Sequence, residues 1–417
     1  MKVLLVNKFH YIKGGSETYY FGLGKLLEEQ GIEVVYFSMK DKKNVFCKQE
    51  KYFAENVDFN AHMGAIKTAK AAARMLYSLD ARRKFEQLIK DEKPDIIHLN
   101  IFQSQLTASI VDVAYKHHIP IVYTAHDLKS ICPNYQMLNH GKVCEKCLHG
   151  NYWNCFKNGC MKDSKAKSFL ATIEAYVYRL RKTYKKIDMV ITPSAFYKKK
   201  IEEAGIVSCP VVHMTNFLPG DTRYEASKPG DYFLYFGRLS REKGILTLVR
   251  AYAKAQVKKP LYIVGDGPVK TQIEQQIKKL GIESKVKLLG FKKGQELKDI
   301  VRNSCCVCLP SEWYENGPYS IMEAMAVGKP VIVSNMGGLP ELVEDRKTGA
   351  VAHVGNVDSL AEAIVKMEKE VNNIDEKYIV STAEKRFSAE EYGKNIIRVY
   401  RENISRVEGK KYFEEKN

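Results

Sequence analysis

From Lys2 the chain reads as an apolar run, KVLLVN, then a glycine-containing stretch, KFHYIKGG, then SETYYFGLGKLLEEQ with apolar residues every three or four positions, then a second apolar run, EVVYFS. Short continuous apolar runs predict buried strands, and the three-to-four spacing predicts an amphipathic helix. The order is therefore strand, loop, helix, strand, with Ser16 as the helix N-cap and Gly31 as its stop. The same grammar returns at DYFLYFGRLSREKGILTLVRAYAKA, followed by the strand PLYIVG, the turn DGP, the helix VKTQIEQQIKKLG and the strand KVKLLGF. Further strands are predicted at 95–100 (DIIHLN), 119–125 (IPIVYTA), 305–310 (CCVCLP) and 329–335 (KPVIVSN). Strands alternating with helices imply parallel sheets covered on both faces. The fold class is thus α/β, with two Rossmann-like doubly wound units. The Pro-, Gly- and Asp-rich stretch FLPGDTRYEASKPG separates them, giving a first domain over 1–217 and a second over 218–391. A final helix pattern from Tyr392 has no strand after it and can pack back on the first domain.

Open parallel sheets bind ligands at the carboxyl ends of their strands, and two such sheets facing one another would form a central cleft. Gly14 and Gly15, His126, Arg238 and Lys243, Gly265 to Gly267, and Glu315 all follow predicted strands. In PSEWYENGPYSIMEAMAVGKPVIV, Pro318 suits a first helical turn and Gly328 an end, which predicts a helix over 319–327. Glu315 then lies in the loop before the helix and Glu323 about one turn inside it. Glu323 is placed to accept a pair of hydroxyls, as from a ribose, and the first-turn amides between them, across Asn316, Gly317, Pro318, Tyr319 and Ser320, suit a phosphate. Arg238 and Lys243 are cations in a loop entering a helix, able to neutralise a departing diphosphate. Glycines at 14, 15, 265 and 267, the last two flanking Asp266, allow backbone amides to approach phosphate or sugar.

Composition narrows the class. The 417 residues are 45% hydrophobic and 28% charged, ordinary for a globular chain. No apolar run reaches a membrane span, and the apolar start is too short for a secretory signal, so the expected location is cytoplasmic. The net charge is +17, and residues 157–200 hold twelve Lys/Arg against Asp163, Glu174 and Asp188. Within that segment Phe169, Leu170, Ile173, Tyr176, Val177 and Leu180 fall at helical spacing. This stripe either packs on the core or lies on an anionic membrane surface at the inner face of the cell membrane. Cys144, Cys147, Cys155 and Cys160 have the paired spacing of a structural zinc site, with Cys132, His140 and His149 as spare ligands in an insertion over 132–163; reduced thiols are the alternative.

The run PSEWYENGPYSIMEAMAVGKPVIVSNMGGLPELVEDRKTG, together with GGSE, YTAHD, FGRLSREKG and VGDGP, resembles the retaining glycosyltransferases of family 4 over most of the chain. The resemblance implies the GT-B arrangement and a nucleotide-diphosphate sugar as donor. It also implies a glycan or lipid-linked acceptor, in bacterial surface polysaccharide synthesis. By the same resemblance Glu315 contacts the donor sugar, Glu323 the ribose, and His126 the sugar near the reacting bond, with Asp127 orienting His126 or capping the next turn. Transfer would retain configuration with no cofactor needed for catalysis, the charge of Arg238 and Lys243 standing in for a metal. A sugar-nucleotide epimerase shares the architecture but not a need for an acceptor. A nucleic-acid-binding protein would fit the basic excess, but the basic segment lacks the aromatic interleaving of a stacking platform.

Overall fold

The computed structural model describes residues 1–56 and 65–414 and divides into two compact units. The first comprises Met1–Asn139, Cys144–Asn216 and the segment from Ala389 onward; the second comprises His140–Val143 and Phe217–Ser388. Among the described residues no helix is long and apolar enough to cross a membrane.

The first unit is built on six parallel strands, β1 (Lys2–Val6), β2 (Glu33–Phe37), β3 (Ile96–Leu99), β4 (Ile121–Thr124), β5 (Met189–Thr192) and β6 (Val211–His213), in the order β2-β1-β3-β4-β5-β6. The second has β7 (Phe233–Phe236), β8 (Leu261–Val264), β9 (Val286–Gly290), β10 (Cys306–Leu309), β11 (Val331–Ser334) and β12 (Gly349–Ala352), also parallel, in the order β9-β8-β7-β10-β11-β12. Strands β3, β4, β5, β7, β10 and β11 are buried at every position, as unbroken apolar runs require when helices cover both faces. The strand order changes direction between β1 and β3 in the first sheet and between β7 and β10 in the second. These switch points are where such sheets open a crevice.

Six helices carry residues discussed below: α1 (Gly15–Glu29), α2 (Trp153–Asn158), α3 (Lys165–Leu180), α4 (Ile245–Ala255), α5 (Tyr319–Ala326) and α6 (Ala389–Glu414). The N-cap of α1 is Gly14 and not Ser16, which lies inside the first turn and donates to Glu17 at 3.0 Å. Pro318 precedes α5 as its N-cap and Gly328 follows its end at φ 77°.

One helix departs from expectation. The fully buried side of α3 is Ser168, Ala171, Thr172, Glu174 and Tyr178, whereas along the apolar stripe Leu170, Ile173, Tyr176 and Val177 are half-buried and Phe169 and Leu180 exposed. Glu174 can be buried there because Lys129 Nζ lies 2.8 Å from one carboxylate oxygen and Ser104 donates to the other at 2.9 Å. The tail helix α6 completes the first unit. Tyr392 and Tyr19 share a hydroxyl hydrogen bond of 2.6 Å, Tyr400 bonds His98 Nδ1, and Gly393 lets Leu26 pack against the helix backbone. Thr124 joins the same buried network through His98 Nε2 at 2.7 Å and Tyr19 at 3.3 Å.

Candidate functional site

At the switch point of the second sheet, one loop leaves β7 through Gly237 and Arg238, forms a turn over Arg241–Lys243, and enters α4. A second leaves β10 at Pro310 and runs to α5. Gly244, at φ 69°, joins the turn to α4, and a Cβ there would lie 1.9 Å from the Pro310 carbonyl oxygen. Only glycine permits this contact. The two loops are thereby brought together, and Lys243 Nζ sits 2.6 Å from Glu315 Oε1.

Ser311 donates its hydroxyl to the same Glu315 oxygen at 2.6 Å, and the Glu315 carbonyl accepts from the Gly338 amide at 2.7 Å. Gly337, at φ 61°, lies so near that a Cβ would be 2.5 Å from the Glu315 backbone. Glu315 is thus held on all sides and its side chain is 6% exposed. Glu315 lies in the loop before α5, as expected from the sequence, and its carboxylate is a buried partner of Lys243. A carboxylate at this burial needs a counter-charge and hydrogen bonds, and Lys243 and Ser311 supply them. Lys243 remains 19% exposed and also stands 5.3 Å from the centre of the Trp313 ring.

Arg238 is exposed, and among the described residues its guanidinium has no ion pair or hydrogen bond; its carbonyl is fixed by the Tyr235 hydroxyl at 2.8 Å. An anchored backbone carrying an unengaged guanidinium suits capture of an anion. Glu323 is exposed on the first turns of α5, yet loss of hydration from surrounding protein pushes its carboxyl up to about 7, against the opposing pull of Lys298. Exposure governs what its oxygens can touch; the crowding limits how well water solvates them. Between the two glutamates, Asn316 and Gly317 lead to Pro318, whose ring offers no acceptor to the helix end, so Tyr319 and Ser320 begin α5 without a side-chain cap from it.

Gly265 and Gly267 have φ of 139° and 159°, and Cβ atoms there would meet the Gly237 and Leu239 carbonyl oxygens at 1.9 and 2.2 Å. Their glycine identity is explained by contact with the Arg238 loop. Asp266 accepts from the Gly267 amide at 2.9 Å, and its own carbonyl accepts from Leu239 at 2.9 Å. This turn therefore shapes the loop that carries Arg238.

The first unit presents its own set at the carboxyl ends of β1, β3 and β4. Gly14 has extended backbone, and a Cβ on it would make only ordinary contact, 3.8 Å from Glu17, so the fold itself makes no demand for glycine there. Gly15 opens α1 beside it. His126 Nε2 bonds Asn100 Oδ1 at 2.9 Å, and its ring packs edge-on to Tyr19 at 4.8 Å. Asn100 gives its amide hydrogens to the Val6 carbonyl, which leaves Oδ1 as the acceptor and puts the imidazole proton on Nε2. Burial pushes the imidazole down to about 3, so it is neutral near pH 7 and suited to hydrogen bonding more than to proton abstraction. Asp127 caps the next turn by accepting from the Lys129 amide at 2.9 Å.

The four cysteines of the proposed zinc set are free thiols, and among the described residues no three His, Cys, Asp or Glu side chains form a group that could hold a metal ion. Cys147 and Cys155 are buried with Tyr152, and Cys160 packs against them. The Cys155 thiol, hydrogen-bonded to Cys160, draws the latter down to about 7, while that bond and burial push Cys155 up. Apolar side chains surround these thiols. Ser311, Trp313, Gly337 and Gly338 also belong to the site around Glu315. The last two were visible only as part of the run GG-PE.

Two family models match the chain: Glycosyltransferase Family 4 over residues 13–218 and Glycosyl transferases group 1 over 222–397. An uncharacterized 42.6 kDa protein in the cps region of Klebsiella pneumoniae is 25% identical over 82% of this chain and 87% of that protein. A putative colanic acid biosynthesis glycosyltransferase of Escherichia coli is 27% identical over 45% of this chain and 50% of its own length. Three further curated relatives are matched over less than half their length. Among solved structures, HepE of Anabaena in complex with UDP aligns with a TM-score of 0.68 at 18% identity, over 96% of this chain and 99% of that one. At that identity the likeness is one of fold.

Proposed function

This chain belongs to glycosyltransferase family 4, and from that premise we propose that it moves a sugar, with retention of configuration, from a nucleotide-diphosphate donor to a glycan or lipid-linked acceptor in surface polysaccharide synthesis. The observation that carries the reading is the Lys243–Glu315 pair, 2.6 Å long, beside the unengaged Arg238 at the switch point of the second sheet. The UDP bound by the Anabaena protein and the colanic acid role of the putative Escherichia coli glycosyltransferase support the donor class and the pathway class respectively.

In this reading the second unit binds the donor. The exposed Glu323 carboxylate accepts the ribose hydroxyls, the first turn of α5 faces the diphosphate, and Arg238 and Lys243 stabilise its charge as the bond from the anomeric carbon to the phosphate oxygen breaks. The acceptor oxygen bonds the anomeric carbon on the face the diphosphate leaves, and the acceptor proton passes to the departing phosphate oxygen. Glu315 fixes the Lys243 ammonium so that no reorganisation is needed when charge develops. The first unit, with Gly14, Gly15 and the neutral His126, presents hydrogen-bonding groups to the reacting sugars. The two side-chain cations take the part a divalent ion would play in charge neutralisation.

A screen of nucleotide sugars by thermal stabilisation tests the reading, since a ligand that binds only the folded state raises Tm with concentration. One nucleotide-diphosphate sugar should stabilise the protein, and Glu323→Ala should abolish the shift. Stabilisation by none of them, or equal stabilisation of the variant, would remove the donor assignment.

A further inference from the structure

We propose that the first unit holds a separate ligand site, a cationic cavity at the amino edge of its sheet that takes a small, soluble phosphorylated sugar or polyol. The cavity, of about 160 Å³, is bounded by the last turn of α3, the short turn Thr183–Lys186 that follows it, and the end of the helix Ala195–Ala204. The turn leads into β5 and the helix leads on to β6, so the cavity lies at the amino ends of these strands. His126 follows the carboxyl end of β4. The two places are thus at opposite edges of one parallel sheet.

Arg179, Lys182 and Lys185 line the cavity, and no carboxylate is among the described residues that do. The basic residues interleaved with them are neutralised elsewhere, since Arg181 and Lys186 both pair with Asp112. Lys182 and Lys185 have no acidic partner among the described residues. Arg179 donates to the Gly150 carbonyl at 2.9 Å, and Gly150, at φ 85°, leaves room where a Cβ would lie 2.0 Å from the guanidinium. One donor fixes this guanidinium while the others stay open to an anion. A phosphate monoester, with three acceptor oxygens and about two charges, meets three such cations better than a carboxylate does.

Surface lysines alone would need no ligand; the walls beneath them point to one. Thr183 lines the cavity and is fully buried, yet its Oγ1 has no hydrogen-bond partner. A buried hydroxyl left so is costly, and a hydroxylated ligand supplies the missing partner. The facing wall, Ala204 to Ile206, is a helix end, where the last carbonyls have no partner inside the helix. Tyr152 and Tyr184 add ring surface edged with hydroxyls. Walls that exchange hydrogen bonds with hydroxyls, under a cationic rim, fit a polyhydroxylated body carrying a phosphate. The volume is too small for a nucleotide sugar or an oligosaccharide. The inference does not depend on the sugar-transfer reading.

Titration calorimetry of the full chain with glucose 1-phosphate, glucose 6-phosphate and glycerol 3-phosphate tests the proposal, with glucose and inorganic phosphate as comparators. At least one of the three esters should bind, and both comparators should bind about tenfold more weakly or worse. Lys182→Ala combined with Lys185→Ala should weaken that ester about tenfold, and Thr183→Val about threefold, while the melting temperatures of the unliganded variants do not fall. Arg238→Ala, in the second unit, should leave the affinity unchanged. Binding by none of the esters, equal binding of glucose, or binding lost through Arg238 but not through Lys182 and Lys185 would overturn the proposal. So would phosphatidylglycerol vesicles held through Lys182 and Lys185 with no free ester bound there.

Discussion

Lys243 Nζ and Glu315 Oε1 are 2.6 Å apart although the residues are separated by 72 positions, and Ser311 donates to the same carboxylate oxygen. The pair joins the loops after β7 and β10. It therefore has a structural consequence as well as a chemical one. Lys243→Met strands a buried carboxylate and should cost roughly 3 kcal/mol of stability. The double variant Lys243→Met with Glu315→Gln should recover much of that loss while remaining inactive. Additive losses in a denaturation cycle would show that the two side chains are energetically independent.

Arg238 has no role in the fold that its side chain could lose. Arg238→Ala should leave the melting temperature within a degree or two of the parent and lower turnover by about a hundredfold or more, the scale of a lost transition-state charge stabiliser. Steady-state kinetics separate this from a binding defect, because the fall should appear in kcat and kcat/KM together.

Loss of hydration in its crowded surroundings pushes the Glu323 carboxyl up to about 7, so it binds more protons in the folded chain than in the unfolded one. Its contribution to stability is then greatest at low pH and is lost as pH rises through about 7. Donor binding should follow the opposite course, tightening over the same interval as the hydroxyl-accepting carboxylate forms. Titration calorimetry between pH 6 and 8 checks this, and Glu323→Gln should give a pH-flat affinity. A parent curve equally flat would rule out Glu323 as the titrating group.

The thiol pair in the first unit should be unequal. Cys160, drawn down to about 7 by Cys155, should react with a thiol reagent at neutral pH well ahead of the buried Cys155. Metal analysis of protein purified without added zinc should find well under half an equivalent. A full equivalent, with all four thiols protected until a chelator is added, would restore the zinc expectation and require the insertion to rearrange.

Much of this architecture is legible in the sequence because fully buried parallel strands are continuous apolar runs. VLLV, IIHL, FLYF and CVCL announce themselves. Three strands do not. MVIT of β5 is four residues inside a strongly basic segment, VVH of β6 is three, and GAVA of β12 has little apolar surface to signal burial. The candidate loops follow from residue type and position after strands, yet their contacts do not. Nothing local to Glu315 says that it is buried, because its counter-charge comes from another loop. The glycines at 265 and 267 are read from the sequence as letting amides approach a ligand, whereas the fold requires them to leave room for the carbonyls of 237 and 239, and pairing of that kind exists only once the strands are adjacent. The apolar stripe of α3 is only half-buried for a similar reason: its fully buried side is largely small and polar, closed by the Lys129–Glu174 pair that periodicity cannot foresee.

The last helix has a consequence for how the chain is made. Tyr392 and Tyr400 bond to Tyr19 and His98, residues that leave the ribosome several hundred positions earlier. During synthesis the amino-terminal half must wait, with those hydroxyl and imidazole partners unmet, until the entire second unit has emerged. Nascent chains halted before position 389 should accordingly engage chaperones through an incomplete early half, even where the later half has already become protease-resistant.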